Sequence, residues 1–358
     1  MRNRIDRLRA VAADLGADAA IVTHYANRRY FSGFPAVDDA PDESYGLLLV
    51  APESAVLYTS RTNLPWAAAS TRSPVEARHW EQPWQAFLGQ RLQDRSLRRV
   101  AFEDRAMTVA DHAAIVSGAS EIELIPAGNA FHSVRAVKDD EELASIAEAA
   151  RITDAAFIAA TRDLRPGVTE RELAWRIELA LRELGAEAPA FPISVAAGPH
   201  GARPHHDPTD RPLEEGEAIV IDLGATVDGY RADLTRTIVI GEAPPEFTDR
   251  YNTVLAAQQA ALAGTSAGMT GREVDQLARE CIAAAGYEDA FVHGLGHGVG
   301  LLIHERPSLG VRSDDVLEPG HVITIEPGIY LEGWGGIRVE DLCLVTRDGL
   351  EVLSHAPK

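Results

Sequence analysis

Cysteine is scarce in this chain. Cys281 and Cys343 are the only two in 358 residues, which excludes a disulfide framework and a cysteine-rich zinc site. Both stand in apolar patterns and are expected to be buried thiols. Positive charge is short as well, with 34 Lys and Arg against 54 Asp and Glu and a formal charge of −20. A surface of that sign repels phosphate, so no nucleic-acid partner is expected. No run approaches the roughly 18 apolar residues of a membrane helix. The N-terminal MRNRIDRLRAVAADLG reads as a charged amphipathic helix without a secretory apolar core. The expectation is a cytoplasmic protein with no membrane partner. Also missing are a P-loop, an H-E-x-x-H, a G-x-S-x-G and the G-x-G-x-x-G dinucleotide fingerprint, so phosphate cradling, the usual single-zinc protease and serine hydrolysis lose support.

What the chain does have is length for two domains and 46% hydrophobic content to build their cores. Residues 1–132 mix helical and strand patterns. Ile5, Leu8, Val11 and Leu15 share a helix face, and AAIVT and YGLLLVAP read as strands. Near Phe131 the texture changes and a long helix follows, with Asp139 and Asp140 as candidate caps and Leu143, Ile146 and Ala150 on one face. The predicted domains are therefore 1–132 and 133–358, in an α/β (α+β) chain.

The second domain repeats itself. LEEGEAIVIDLG at Leu213–Gly224 is echoed by LEPGHVITIEPG at Leu317–Gly328, and GVTERELAWRIELALRELG at Gly167–Gly185 by GMTGREVDQLARECIAAAG at Gly268–Gly286. Thr169 with Glu172, and Thr270 with Glu273, have the spacing of a capping box, and Gly185 and Gly286 supply helix stops. The helix copies are 101 positions apart and the strand copies 104. Near-equal offsets predict two αβ half-domains related by a pseudo-two-fold axis.

Each half offers two carboxylates on neighbouring strands: Asp222 and Asp233 in the first, Glu326 and Glu340 in the second. Singly, any of them could cap a strand or pair with Arg231, Arg236 or Arg338. A carboxylate in a strand of Ile and Val is costly to bury unless it is paired, hydrogen-bonded or bound to a cation. Four converging carboxylates point to metal, commonly two divalent ions about 3.5 Å apart. The histidines strengthen that expectation. HGLGHGVGLLIHERP carries His293, His297 and His304 among closely spaced glycines, and ARPHHDPTD carries His205 and His206 before the first acid strand. Imidazole with several carboxylates suits Mn, Co, Zn or Fe(II), and oxygen-rich ligation leans to Mn or Co.

The set IDLG, ADLTRT, HGLGHGVG, IHE, TIEPGIY and GIRVED resembles the metal-dependent peptidases of the methionine aminopeptidase, prolidase and aminopeptidase P superfamily. The resemblance covers about residues 133–358 and implies their pseudo-symmetric pita-bread catalytic fold. NRRYFSGF at Asn27–Phe34 is similar to the creatinase-type N-terminal domain of the prolidase and aminopeptidase P branch. The resemblance implies two divalent ions, Mn with Co or Zn as alternatives. Asp222 and Asp233 would hold one, His297 and Glu326 the other, with Asp233 and Glu340 shared. Creatinase keeps the fold without that ligand set, which counts against creatine hydrolysis here. The resemblance also implies Glu326, His304 and His205 in catalysis, and His293, Arg338 and Tyr330 at the substrate, with His206 a structural neighbour. The implied reaction is hydrolysis of the bond before proline in small proline-containing peptides, by a homodimer. Prolidase is favoured, followed by aminopeptidase P, a broader aminopeptidase, and a binding protein that kept only the fold.

Overall fold

In a computed structural model, residues 3–38, 40, 43–81, 83–119 and 121–358 are described, and the chain divides into two compact units, Met1–Arg135 and Ala136–Lys358. Met1 and Arg2 of the amphipathic N-terminal segment lie outside the described residues.

The first unit opens on α1 (Arg4–Asp14), where the Asn3 side chain accepts the Asp6 amide, one of the donors a helix start leaves unpaired. Its inner face is Ile5, Leu8 and Ala12; Val11 and Leu15, expected on that face, are only half-buried. There follow β1 (Ala19–Val22), α2 (Tyr25–Ser32), β2 (Leu47–Ala51), β3 (Ser54–Thr59), α3 (Leu64–Ser70), β4 (Glu76–His79), α4 (Trp84–Asp94), β5 (Arg99–Phe102), α5 (Val109–Gly118), β6 (Glu123–Pro126) and α6 (Ala130–Ser133). The strands form one mixed sheet in the order β4-β3-β2-β1-β5-β6. β1 runs antiparallel to β2 and parallel to β5, and Ile21, Leu49, Val100, Leu88 and Ile115 pack between sheet and helices.

The second unit is built twice. Its first half runs α7 (Asp140–Thr161), α8 (Glu170–Glu183), β7 (Ala188–Pro189), β8 (Ser194–Ala197), β9 (Ile219–Leu223), β10 (Ala225–Val227), β11 (Tyr230–Arg231) and β12 (Leu234–Ile238). The second runs α9 (Pro245–Gly264), α10 (Gly271–Ala284), β13 (Gly296–Gly298), β14 (Glu305–Leu309), β15 (Val322–Ile325), β16 (Gly328–Leu331), β17 (Gly335–Arg338), β18 (Asp341–Val345) and β19 (Leu350–Val352). Capping boxes close at Asp139–Glu142, Thr169–Glu172 and Thr270–Glu273. Beyond α8 and α10 the chain reverses through Gly185 at φ 103° and Gly286 at φ 85°, a region that a Cβ disfavours.

In each half an antiparallel sheet sets an acid-bearing strand between two neighbours: β9 between β8 and β12, and β15 between β13 and β18. Beneath the second sheet, Val254, Ala257, Val274, Ala278 and Ile282 from α9 and α10 pack against Ile323, Ile325 and Cys343. Cys343 is buried as expected, whereas Cys281 is only partly so, because it lies towards the edge of the α10 apolar stripe. Among the described residues no helix is long and apolar enough to cross a membrane.

The strand registers refine the expected symmetry. Thr235 lies opposite Asp222, and Asp341 opposite Ile325. Superposing Asp222 on Glu326 therefore sets Thr235, not Asp233, level with Glu340, and sets Asp233 level with Arg338. The second acid of each pair comes from a different height on its strand.

Candidate metal centre

Five of the residues singled out in the sequence meet at one cavity of about 470 Å³, which Asp222, Asp233, His297, Glu326 and Glu340 all line. Asp222 projects from β9, Asp233 immediately precedes β12, His297 is the middle residue of β13, Glu326 follows β15, and Glu340 sits between β17 and β18. The glycines of HGLGHGVG have a steric reason. A Cβ on Gly296 would strike the Thr324 carbonyl, and one on Gly298 the Arg306 carbonyl, so only glycine lets β13 pass close enough to aim His297 inward. The His297 amide is fixed by Thr324 Oγ1 at 3.0 Å.

One oxygen each of Asp222, Asp233 and Glu340 lies within 4.8 Å of the other two. His297 Nε2 stands 3.3 Å from Glu326 Oε1 and 3.6 Å from Asp233 Oδ2. Thr324 Oγ1 donates to Glu326 Oε1 at 3.1 Å, and Thr235 Oγ1 to Glu340 Oε2 at 2.7 Å. Asp222 Oδ1 and Glu340 Oε1, by contrast, are buried with no partner. Orphaned buried carboxylate oxygens are costly, and two that face one cavity are the sign of a cation site.

The electrostatics agree. Burial, followed by the charges of Glu340, Asp222 and Glu326, pushes the Asp233 carboxyl well above its ordinary range, and burial with the Glu326 and Asp222 charges does the same to Glu340. Burial also raises Asp222, against the opposing pull of Arg338. Glu326 goes the other way. Burial would raise it, but the His297 hydrogen bond and the His297, His293 and Arg338 charges outweigh that and bring it down to about 2. The raised carboxyls show that the centre resists carrying all four negative charges by itself, and a hard oxygen-rich donor set with one imidazole fits divalent metal.

Arg338 answers part of that charge, as one of the alternatives read from the sequence anticipated. Its Nη2 lies 2.6 Å from Asp222 Oδ2, its Nε donates to Thr235 Oγ1 at 2.9 Å, and its Nη1 to Tyr330 OH at 2.9 Å. Arg236 is not available to the centre, since it pairs with Asp341 at 2.9 Å. Tyr330 OH also meets His293 Nε2 at 2.8 Å, so Arg338 and His293, which line the cavity, are linked through Tyr330, which is buried and does not line it. His304 lines the cavity edge-on to His297, with ring centroids 4.5 Å apart, and burial and the His297 charge lower its pKa. His205 lines the cavity too, and both it and His304 are exposed at the mouth. His206 also borders the cavity, with its Nε2 bonded to Glu170 at 3.0 Å.

Several contributors were not singled out in the sequence. Thr235 and Thr324 orient ligand carboxylates, and Phe191 and Pro192 form apolar lining. The threonines carry a faint signal, since each stands one or two residues from an acid in a β-branched run. Phe191 and Pro192 carry none that local pattern could reveal.

The profile of metallopeptidase family M24 matches residues 144–347, and that of the creatinase/prolidase N-terminal domain residues 4–137. The chain is 33% identical to the Xaa-Pro dipeptidase of Pyrococcus furiosus over 360 residues, covering 100% of this chain and 99% of that one. The structure of an Xaa-Pro dipeptidase from Bacillus anthracis superposes with a TM-score of 0.93 at 35% identity, covering 99% of this chain and 98% of that one. An X-Pro aminopeptidase from Thermotoga maritima superposes with a TM-score of 0.88 at 34% identity, covering 97% and 98%.

Proposed function

We propose, from the premise that this chain belongs to metallopeptidase family M24 and is a metal-dependent peptidase with the pita-bread catalytic fold, that it is an Xaa-Pro dipeptidase. The observation that carries the reading is the convergence of Asp222, Asp233, His297, Glu326 and Glu340 on one cavity with two carboxylate oxygens left unpartnered. Full-length similarity to enzymes named Xaa-Pro dipeptidase supports the substrate class.

Two divalent ions, Mn by preference, would be held by Asp222 and Asp233 on one side and His297 and Glu326 on the other, with Asp233 and Glu340 shared. Bound there, such ions polarise a carbonyl and lower the pKa of water. Glu326, ionised at any working pH, takes the proton of the attacking water. It then delivers it to the leaving nitrogen. The nitrogen of the scissile amide departs as an amine only after gaining that proton, and a proline amide, lacking an N–H, offers no hydrogen bond of its own at this position. His304, whose pKa burial and the His297 charge lower, and His205 line the cavity where an N–H can meet the developing oxyanion. Arg338 and His293, held together through Tyr330, offer a cation and an imidazole on the cavity lining for the substrate's free ends. A homodimer in the cytoplasm belongs to the same reading.

A second reading, Xaa-Pro aminopeptidase, is favoured by the likeness to the Thermotoga maritima enzyme. The two separate on Ala-Pro, Ala-Pro-Ala and Ala-Ala assayed with Mn-loaded and metal-stripped protein. Cleavage of Ala-Pro alone, only when loaded, is expected of the dipeptidase. Equal or faster cleavage of Ala-Pro-Ala would replace it with the aminopeptidase, and preference for Ala-Ala would overturn both.

A further inference from the structure

Outside the metal centre, one carboxylate gathers an unusual number of donors. Glu170, the first residue of α8, is fully buried. Its Oε1 accepts from the Ala197 amide and from His200 Nδ1, both at 2.9 Å. Its Oε2 accepts from the Thr209 amide at 3.0 Å, Thr209 Oγ1 at 2.7 Å and His206 Nε2 at 3.0 Å. A carboxylate has about four lone-pair sites, so five donors saturate it. One Glu with two His could by composition hold a metal. Here N–H and O–H groups already face both oxygens, and a cation would have to displace them. The cluster is a fastening.

What it fastens is the turn 197–209, gripped at its start, middle and end. Elsewhere the same turn is held by Ser194 Oγ, which donates to the His206 carbonyl at 2.7 Å, and by Arg338 Nη1, which donates to the Pro204 carbonyl at 3.2 Å. Gly201 lies so close to β17 that a Cβ would stand 2.8 Å from the Gly336 amide nitrogen. Between Pro204 and His206 sits His205, exposed and, among the described residues, without a hydrogen-bond partner for its own ring. With no hydrogen bond to hold the ring, the backbone of the turn sets where that imidazole starts from.

We propose that Glu170 is a positioning residue for His205, fixing from the N-terminus of α8 the turn that presents this imidazole to the metal cavity. The inference rests on the peptidase reading only for what His205 does there. The carboxylate grips His206, the next residue after His205, and Thr209, and it bonds to none of Asp222, Asp233, His297, Glu326 and Glu340, so a loss of grip acts first on the turn that carries His205.

The test is a double-mutant cycle on the full chain with a spectroscopic readout. In Glu170→Gln one acceptor oxygen becomes an NH2 group facing donors. Its kcat on Ala-Pro should fall by between about 10-fold and the 10³-fold that loss of a whole oxyanion donor costs, with metal content unchanged. In a His205→Ala background the same substitution should cost less than about 2-fold, the non-additivity of residues acting as one unit. The His205 ring signal in a histidine-labelled NMR spectrum, identified by its loss in His205→Asn, should shift or broaden in Glu170→Gln. Equal losses of kcat in both backgrounds, or an unmoved His205 signal, would overturn the proposal. Should Glu170→Gln not fold, Thr209→Val removes a single donor and must perturb the His205 signal in the same sense, an unperturbed signal again overturning it. If the wild type cleaves no Xaa-Pro peptide, the functional reading fails, and the NMR comparison decides the positioning role by itself.

Discussion

The first half of the catalytic unit opens α8 with Thr169 and Glu172 and sets Asp222 on the middle strand of its sheet, and the second half opens α10 with Thr270 and Glu273 and sets Glu326 at the end of the corresponding strand. At the level where the second half has His297, register sets Ala196 in the first. Where the second half has Glu340, the first has Thr235, and the two touch, hydroxyl to carboxylate, at 2.7 Å. Arg236 and Asp341 are level in the same way and form a buried ion pair. The backbone repeats because caps, strand patterns and glycine stops repeat. The donors do not, and the difference shows that a doubled scaffold supplies facing positions while single residues decide which become ligands.

The comparison breaks most sharply at Glu340. Glu340→Ala should abolish metal binding and turnover together, whereas Thr235→Ala at the level position should keep its ions and lose about 10- to 100-fold in kcat, the order of one hydrogen bond to a charged group. Metal content by plasma mass spectrometry beside Ala-Pro turnover checks both. His304, which belongs to the second half alone, comes next: His304→Ala should lower kcat by about 10²–10³-fold with ions retained, as loss of an oxyanion donor does, read from steady-state kinetics.

Metal removal should expose the unbalanced carboxylates. Burial and neighbouring charge raise Asp233 and Glu340 well above their ordinary values of 3.8 and 4.5. A raised carboxyl contributes stability that is complete below its ordinary value and is lost as pH climbs through the raised one. The stripped protein should therefore melt at a lower temperature at about pH 8 than at about pH 5. Saturating Mn, which favours the ionised form, should cancel that fall and add about 2.7 kcal/mol at a hundredfold excess over Kd. A scanning-calorimetry series with and without metal measures it, and a stripped protein that grows steadily more stable with pH would refute the charge assignment. The smallest effects test the likeness of the halves: Thr169→Ala and Thr270→Ala should each cost about 1 kcal/mol of local helix stability, equal within error by hydrogen exchange of the first-turn amides, with no change in metal content.

Much of the site was legible because its signals are local. An acid at the end of an Ile and Val run, T-x-x-E before an amphipathic stretch, and a histidine among glycines can each be read without knowing what lies across the sheet. What needed the fold was register. Asp233 and Glu340 look equivalent in the sequence, and only strand pairing reveals that Glu340 is level with Thr235 and Asp233 with Arg338. The Arg338–Tyr330–His293 chain includes a bond between residues 37 positions apart, and Glu170 joins α8 to Thr209, 39 positions on. Neither follows from periodicity, because each depends on a long-range closure that no window of sequence contains. The half-burial of Cys281 was misjudged for a related reason: an apolar neighbourhood on a helix does not say how wide the covered stripe is.

The claim that two unlike halves build one centre is tested most directly by calorimetric titration of Mn into the metal-stripped chain, into Asp222→Asn and into His297→Ala. The account predicts two ions per wild-type chain and fewer than two in each variant, one drawn from either half. Two ions bound with wild-type affinity by either variant would mean that the half it represents takes no part in the centre.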